Sequence, residues 1–150
     1  MQLVQLLSAL LTPVIAVVTT YIALQQYRTN RFKFKLEMFE KRNAVYQGVK
    51  DFIHSAVRKT NLSTDDFIKL DEATQDAFFL FDEPVDKYIN ELRWKASKLN
   101  FMNEKIAEQI LHPYEELSQV EAERDGICVW FGKQHSESKE VFKKYLRVSL

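Results

Sequence analysis

The sequence predicts an all-α protein: one N-terminal transmembrane helix continuing into a cytosolic antiparallel bundle of about four helices. Three observations predict it. Leu3 to Leu24 are twenty-two consecutive residues without a charge. Beyond them, apolar side chains recur every 3–4 residues instead of alternating, the period of helices buried on one face. Only three Gly and three Pro interrupt 150 residues, a length that suits one folded domain.

The first element is the apolar run. A spanning helix needs about 20 mostly apolar residues, because each adds about 1.5 Å against a hydrocarbon core of about 30 Å. Leu3–Leu24 is long enough, although Gln5, Ser8, Thr12, Thr19 and Thr20 dilute it. A cleaved secretory leader should open with Lys or Arg and have a shorter apolar core. No Lys or Arg precedes this run, so a permanent span is the better reading than a leader or a buried soluble helix. Arg28, Arg31, Lys33 and Lys35 follow directly, with no acid among them. The positive-inside rule then puts Met1 outside and the C-terminus in the cytoplasm. The same four cations are expected to lie against anionic lipid headgroups, with Tyr21 and Tyr27 at headgroup level.

Polar and small residues of the run fall on one stripe: Gln5, Ser8, Thr12, Ala16, Thr19 and Ala23, continued by Gln26. Leu and Val occupy the other faces. Helices associate in lipid through small residues and interhelical hydrogen bonds, so the stripe reads as a self-association seam. Two alternatives stand beside it. In a passive anchor, Ser and Thr satisfy their own i−4 carbonyls. In a conducting pore, the stripe lines the lumen. Pro13 lies near mid-run, where it removes one backbone hydrogen bond and is expected to kink the helix.

Residues 1–26 are therefore the transmembrane helix and residues 27–150 a cytosolic bundle with a basic start. Gly and Pro are absent from Val14 to Gln47, so the first helix should run on to about Lys59. Ser63 is a good N-cap, with Asp65 and Asp66 in the first turn of a second helix expected to end near Leu80. Asp82 and Pro84 open a third helix carrying Val85, Ile89, Leu92, Ala96, Leu99 and Met102 inward. It should stop at His112, before Pro113. A fourth helical region carries Leu117, Val120, Ile127, Phe131, Phe142 and Leu146. Gly126, Gly132 and Ser136 predict a break in it near 132–137.

The formal net charge is zero, but it is unevenly spread. Residues 26–62 carry a net +6, residues 63–127 a net −9 and residues 128–150 a net +3. The one cysteine, Cys128, allows no intrachain disulfide and fits a reducing compartment. Its apolar neighbours Val129 and Trp130 place it in the core. His54, His112 and His135 lack metal-ligand spacing, so no metal or cofactor is expected. Three isolated glycines make no phosphate loop. The Arg-x(4–6)-His pattern of one class of helical RNases is absent before each histidine. The carboxylates Asp65, Asp66, Asp71, Glu72, Asp76, Asp82, Glu83 and Asp86 read as a solvated acidic face. Phe32 and Phe34 among four cations would elsewhere suggest nucleic acid. Directly after a span, lipid explains them better, and no nucleic acid is expected.

Three stretches carry a resemblance. They are YRTNRFKFKLEMFEKRNAVYQGVKDFI after the span, DAFFLFDEPVDKYINELRWKA, and VWFGKQHSESKEVFKKYL. Through Phe39–Arg42 with Tyr46 and Phe52, Phe79–Phe81, and Trp130–Phe131 with Phe142 and Tyr145, the chain resembles a widespread group of small bacterial single-span membrane proteins. The resemblance implies a bacterial inner membrane and a cytosolic helical domain, and it transfers no activity. The sequence thus predicts a membrane-anchored, non-enzymatic interaction module that self-associates through its span and first helix. Its partners would be the bilayer, further copies of itself and a protein the sequence does not identify. The alternative is a pore-forming or depolarising effector of a bacterial defence or toxin system.

Overall fold

The computed structural model describes the backbone of residues 2–59, 61–111 and 117–147, and the side chains of residue 11 and residues 13–59, 61–107 and 117–147. These residues are all-helical, with no strand among them. The elements are α1 (Gln2–Arg58), α2 (Thr64–Thr74), α3 (Ala77–Leu80), α4 (Glu83–Leu111) and α5 (Leu117–Lys143). They divide into two compact units, Met1–Met38 and Phe39–Leu150. α1 contributes to both and remains helical through Pro13.

In the second unit, the last part of α1 meets α2, α3 and α5 through Phe52–Phe67, Arg42–Leu80 and Tyr46–Phe142. Val45, Val49, Phe52, Ile53 and Ala56 of α1 are buried at the 3–4 spacing of a helix with one inner face. α2 runs antiparallel to it. Phe52 meets Phe67 with ring centroids 5.5 Å apart, and Lys59 pairs with Asp66 at 2.6 Å. Further along, a Cβ placed on Gly48 would overlap the Cβ of Ala73. The backbones of α1 and α2 therefore approach there as closely as a glycine permits. α4 and α5 are also antiparallel. Lys98 pairs with Glu123, and Lys144 reaches Asp82 at 2.7 Å at the other end. Val85, Ile89, Leu92, Ala96, Leu99 and Met102 are buried as their spacing predicts.

The connections are pinned by side chains. Asn100 accepts from the Leu62 N–H at 2.9 Å and donates to the Leu62 carbonyl at 2.7 Å, satisfying both backbone groups of a turn residue. Ser63 caps α2 in a reciprocal capping box with Asp66. Asp66 is buried, which corrects the expectation that it belongs to a solvated face. Its carboxylate accepts from Lys59 Nζ at 2.6 and 2.7 Å, from Ser63 N–H at 2.9 Å and from Ser63 Oγ at 2.8 Å. These donors, Lys59 first, hold its pKa down to about 2.

A depressed carboxylate stabilises the fold fully above its unfolded pKa, and that contribution is lost as pH falls through the folded value. For Asp66 the window runs from about pH 4 down to about pH 2. Asp66→Asn is expected to cost about 1–2 kcal/mol at neutral pH and to flatten the stability slope across that window. Acid titration followed by circular dichroism checks this. A variant with the wild-type slope would remove Asp66 as the cause.

Two boundaries differ from the sequence expectation. The second helix does not reach Leu80. It ends at Thr74, and Ala77–Leu80 forms a separate turn of helix. The buried Thr74 donates to its own i−4 carbonyl at Leu70 (2.7 Å) and accepts from Arg93 Nη2 (2.8 Å), a tertiary bond at the helix end. The predicted break near 132–137 is absent: α5 is unbroken to Lys143. Gly126 and Gly132 are exposed, and an added Cβ would meet nothing at either. The inner stripe Ile127, Phe131, Gln134, Ser138 and Phe142 runs straight through. Cys128, next to that stripe, is exposed and not in the core. The predicted stop at His112–Pro113 and the turn residue Thr60 lie outside the described residues.

Candidate membrane interface

The described residues of the first unit present a run of exposed apolar side chains. Leu11, Val14, Ile15, Val18, Ile22 and Leu24 are all exposed, and Val17 is 70% exposed. Isolated exposed apolar residues are ordinary, but a contiguous helical surface of them is not. Among the described residues no helix is long and apolar enough to cross a membrane. The uncharged run Leu3–Leu24 falls only partly within the described side chains.

Of the predicted stripe, Ala16, Thr19 and Ala23 are exposed on α1, whereas the side chains of Gln5, Ser8 and Thr12 lie outside the described residues. The hydroxyls turn back on their own helix. Thr19 Oγ1 lies 2.9 Å from the Ile15 carbonyl and 3.0 Å from that of Ala16, and Thr20 Oγ1 donates to Ala16 at 2.8 Å. A hydroxyl satisfied in this way demands no partner helix. Ala16 and Ala23 are the small side chains of the described part of the stripe.

After the run come the cations. Arg28, Arg31, Lys33 and Lys35 are all exposed. Two tyrosines brace the polar residues one turn on. Gln25 Nε2 donates to Tyr21 OH at 3.1 Å, and Arg31 Nη1 to Tyr27 OH at 3.4 Å. The Arg31 guanidinium also stands over the Tyr27 ring, 5.6 Å from its centroid. Tyr27, Asn30, Arg31, Phe34 and Lys35 line a shallow groove along this side of the helix. The sequence singles out Tyr27, Arg31, Phe34 and Lys35 by charge and aromaticity but does not by those properties connect them with Asn30. The signal that does so is the spacing 27, 30, 34, one helical face.

The second unit offers less to chemistry. Several of its exposed carboxylates are in ion pairs, among them Asp65 with Lys69, Asp71 with Arg93, Glu83 with Lys87 and Asp82 with Lys144. Hydrogen bonds from Lys144 and then Tyr145 hold the Asp82 carboxyl below its usual range. Among the described residues no three His, Cys, Asp or Glu side chains are grouped to hold a metal. Phe78 and Phe79 are 73% and 81% exposed, so Phe79 does not share the packing role of Leu80 and Phe81. No protein-family model, characterised protein or solved structure matches the chain.

Proposed function

We propose that the protein is a membrane-anchored helical interaction module that self-associates through its N-terminal span and first helix, and that it is not an enzyme. One observation carries the reading. An uncharged stretch of α1 exposes its apolar side chains from Leu11 to Leu24 and is followed at once by Arg28, Arg31, Lys33 and Lys35. Hydrocarbon is a medium in which such a surface is stable, and anionic headgroups suit the cations that follow. The charge step supports an orientation with Met1 outside and the C-terminus in the cytoplasm, and the resemblance points to a bacterial inner membrane. Ala16 and Ala23, with Ser8 and Thr12 before them in sequence, supply a seam of small residues for close approach of a second copy.

One experiment tests anchoring, orientation and association together. The full chain, with a reporter after Leu150, is expressed in bacterial cells and crosslinked in native membranes. The reporter should sit in the membrane fraction and be active only as a cytoplasmic fusion. Wild-type chains should crosslink as oligomers. The pair Thr12→Leu with Ala16→Leu should lower the oligomer order, while Leu10→Ile with Val17→Leu should leave it unchanged. Interhelical contacts in membranes average about 0.6 kcal/mol each, so pairs are needed for a readable effect. A wild-type chain that stays monomeric would leave only a passive anchor. Depolarisation of expressing cells that the stripe variants abolish would favour the pore reading instead.

A further inference from the structure

We propose that the groove of Tyr27, Asn30, Arg31, Phe34 and Lys35 is a binding site for the phosphodiester of an anionic phospholipid. The inference rests on the membrane reading above and adds a ligand class and a defined face to it. The chemistry is suited to that ligand. Arg31 offers a planar fork of N–H donors that matches phosphate oxygens, and Lys35 adds a second cation one turn on. Asn30 supplies neutral polar groups beside them. Tyr27 and Phe34, 59% and 64% exposed, form apolar walls of the kind a glycerol backbone and the first acyl carbons would lie against.

The depth also agrees for Arg31. Arg31 lies seven residues past Leu24, about 10 Å along the helix axis. The headgroup layer occupies roughly 5–7 Å beyond the hydrocarbon on each side. The guanidinium closes the difference by leaning back one turn to stand over Tyr27, towards the apolar run. Tyr27 thus aims Arg31 at the phosphate level as well as packing beside it.

The groove makes a distinction that a diffuse basic cluster does not. Lys33 is two residues closer to the apolar run than Lys35, and it is exposed, but it lies on another side of the helix and does not line the groove. It serves as an internal control, because non-specific attraction to an anionic surface would depend on it equally.

The test uses the full chain in nanodiscs of phosphatidylcholine with stepped fractions of phosphatidylglycerol, and native mass spectrometry counts the lipid retained. Phosphatidylglycerol should be retained in preference to phosphatidylcholine. Arg31→Gln and Lys35→Gln should each weaken that preference by about fivefold, the effect of one well-placed juxtamembrane cation. Lys33→Gln should change it less than about twofold. Tyr27→Leu, which keeps every charge, should weaken it by releasing Arg31. Excess inorganic phosphate should not displace the lipid. Equal losses in Lys33→Gln and Arg31→Gln, or displacement by free phosphate, would overturn the groove while leaving the anchor intact. A chain that does not enter the nanodisc would overturn the membrane reading itself.

Discussion

Replacing Phe142 by Ala is expected to lower the unfolding free energy of the second unit by about 3–5 kcal/mol, the range for a fully buried aromatic truncated without collapse of its site. Phe142 has no exposed surface and touches rings from three other parts of the chain. Its centroid lies 5.2 Å from Tyr46 on α1, 5.2 Å from Phe81 at the end of α3 and 6.4 Å from Tyr88 on α4. The Phe81 and Tyr88 contacts are close to edge-to-face, a geometry worth about 0.5–1.5 kcal/mol per pair beyond burial. Removing one ring therefore loosens four elements at once. A loss of that size is a large share of the roughly 5–15 kcal/mol typical of a domain. Denaturant midpoints of the full chain in detergent measure it, with Phe79→Ala as comparison. Phe79 is 81% exposed, and its removal should shift stability by no more than about 0.5 kcal/mol. Equal shifts in the two variants would mean that the ring cluster is not the core.

The contrast between Phe79 and Phe142 shows what the sequence reveals and what it hides. Where the inner positions of a helix are all apolar, as from Val85 through Leu92 to Met102, periodicity finds the core. In α5 the inner stripe includes Gln134 and Ser138, which are fully buried. Two polar residues in a core stripe break the apolar period, so Cys128 looks internal and the glycines look like a break. The structure bonds the Gln134 amide nitrogen and the Ser138 hydroxyl locally, and leaves Gln134 Oε1 buried without a partner. Gln134 Nε2 donates to the Trp130 carbonyl at 3.3 Å and to Glu137 at 2.6 Å, and Ser138 Oγ lies 3.4 Å from the His135 carbonyl. Buried polar groups bonded this way are tolerated in a core, and composition does not announce them.

The end of α2 is hidden for a different reason. No Gly or Pro follows Thr74 directly, and the helix stops where the Thr74 side chain takes a tertiary bond from Arg93. Arg42 adds to this by donating to the Leu80 carbonyl at 3.0 Å, which holds α3 as a separate turn against α1. These two bonds join residues 19 and 38 positions apart, beyond any local signal. At the candidate interface the position is reversed. Charge and hydropathy are local properties, so the basic cluster is legible from sequence, whereas the orientation of Arg31 over Tyr27 needs side-chain geometry.

Gly48→Leu is expected to destabilise the second unit by about 2–3 kcal/mol, the upper part of the range for overpacking. Gly48 lies in the second half of α1, where Gly costs about 1 kcal/mol relative to Ala in an exposed helix. The packing explains why a glycine is accommodated there. A Cβ on residue 48 would overlap the Cβ of Ala73 on α2, so any side chain must push the two helices apart. Phe52 against Phe67 and Lys59 against Asp66 lie on the same helix pair and would be strained by that separation. Gly48→Ala sets two effects against each other, a better helix propensity and a poorer fit between the helices. It should therefore fall well short of Gly48→Leu. The partner variant separates them. Ala73→Gly removes the atom in conflict, so Gly48→Ala should be less harmful, or stabilising, in that background than in the wild type. A double-mutant cycle on thermal unfolding should give a coupling of about 0.5–3 kcal/mol, the range for residues that touch. Strictly additive effects would show that α1 and α2 do not meet at Gly48 and Ala73.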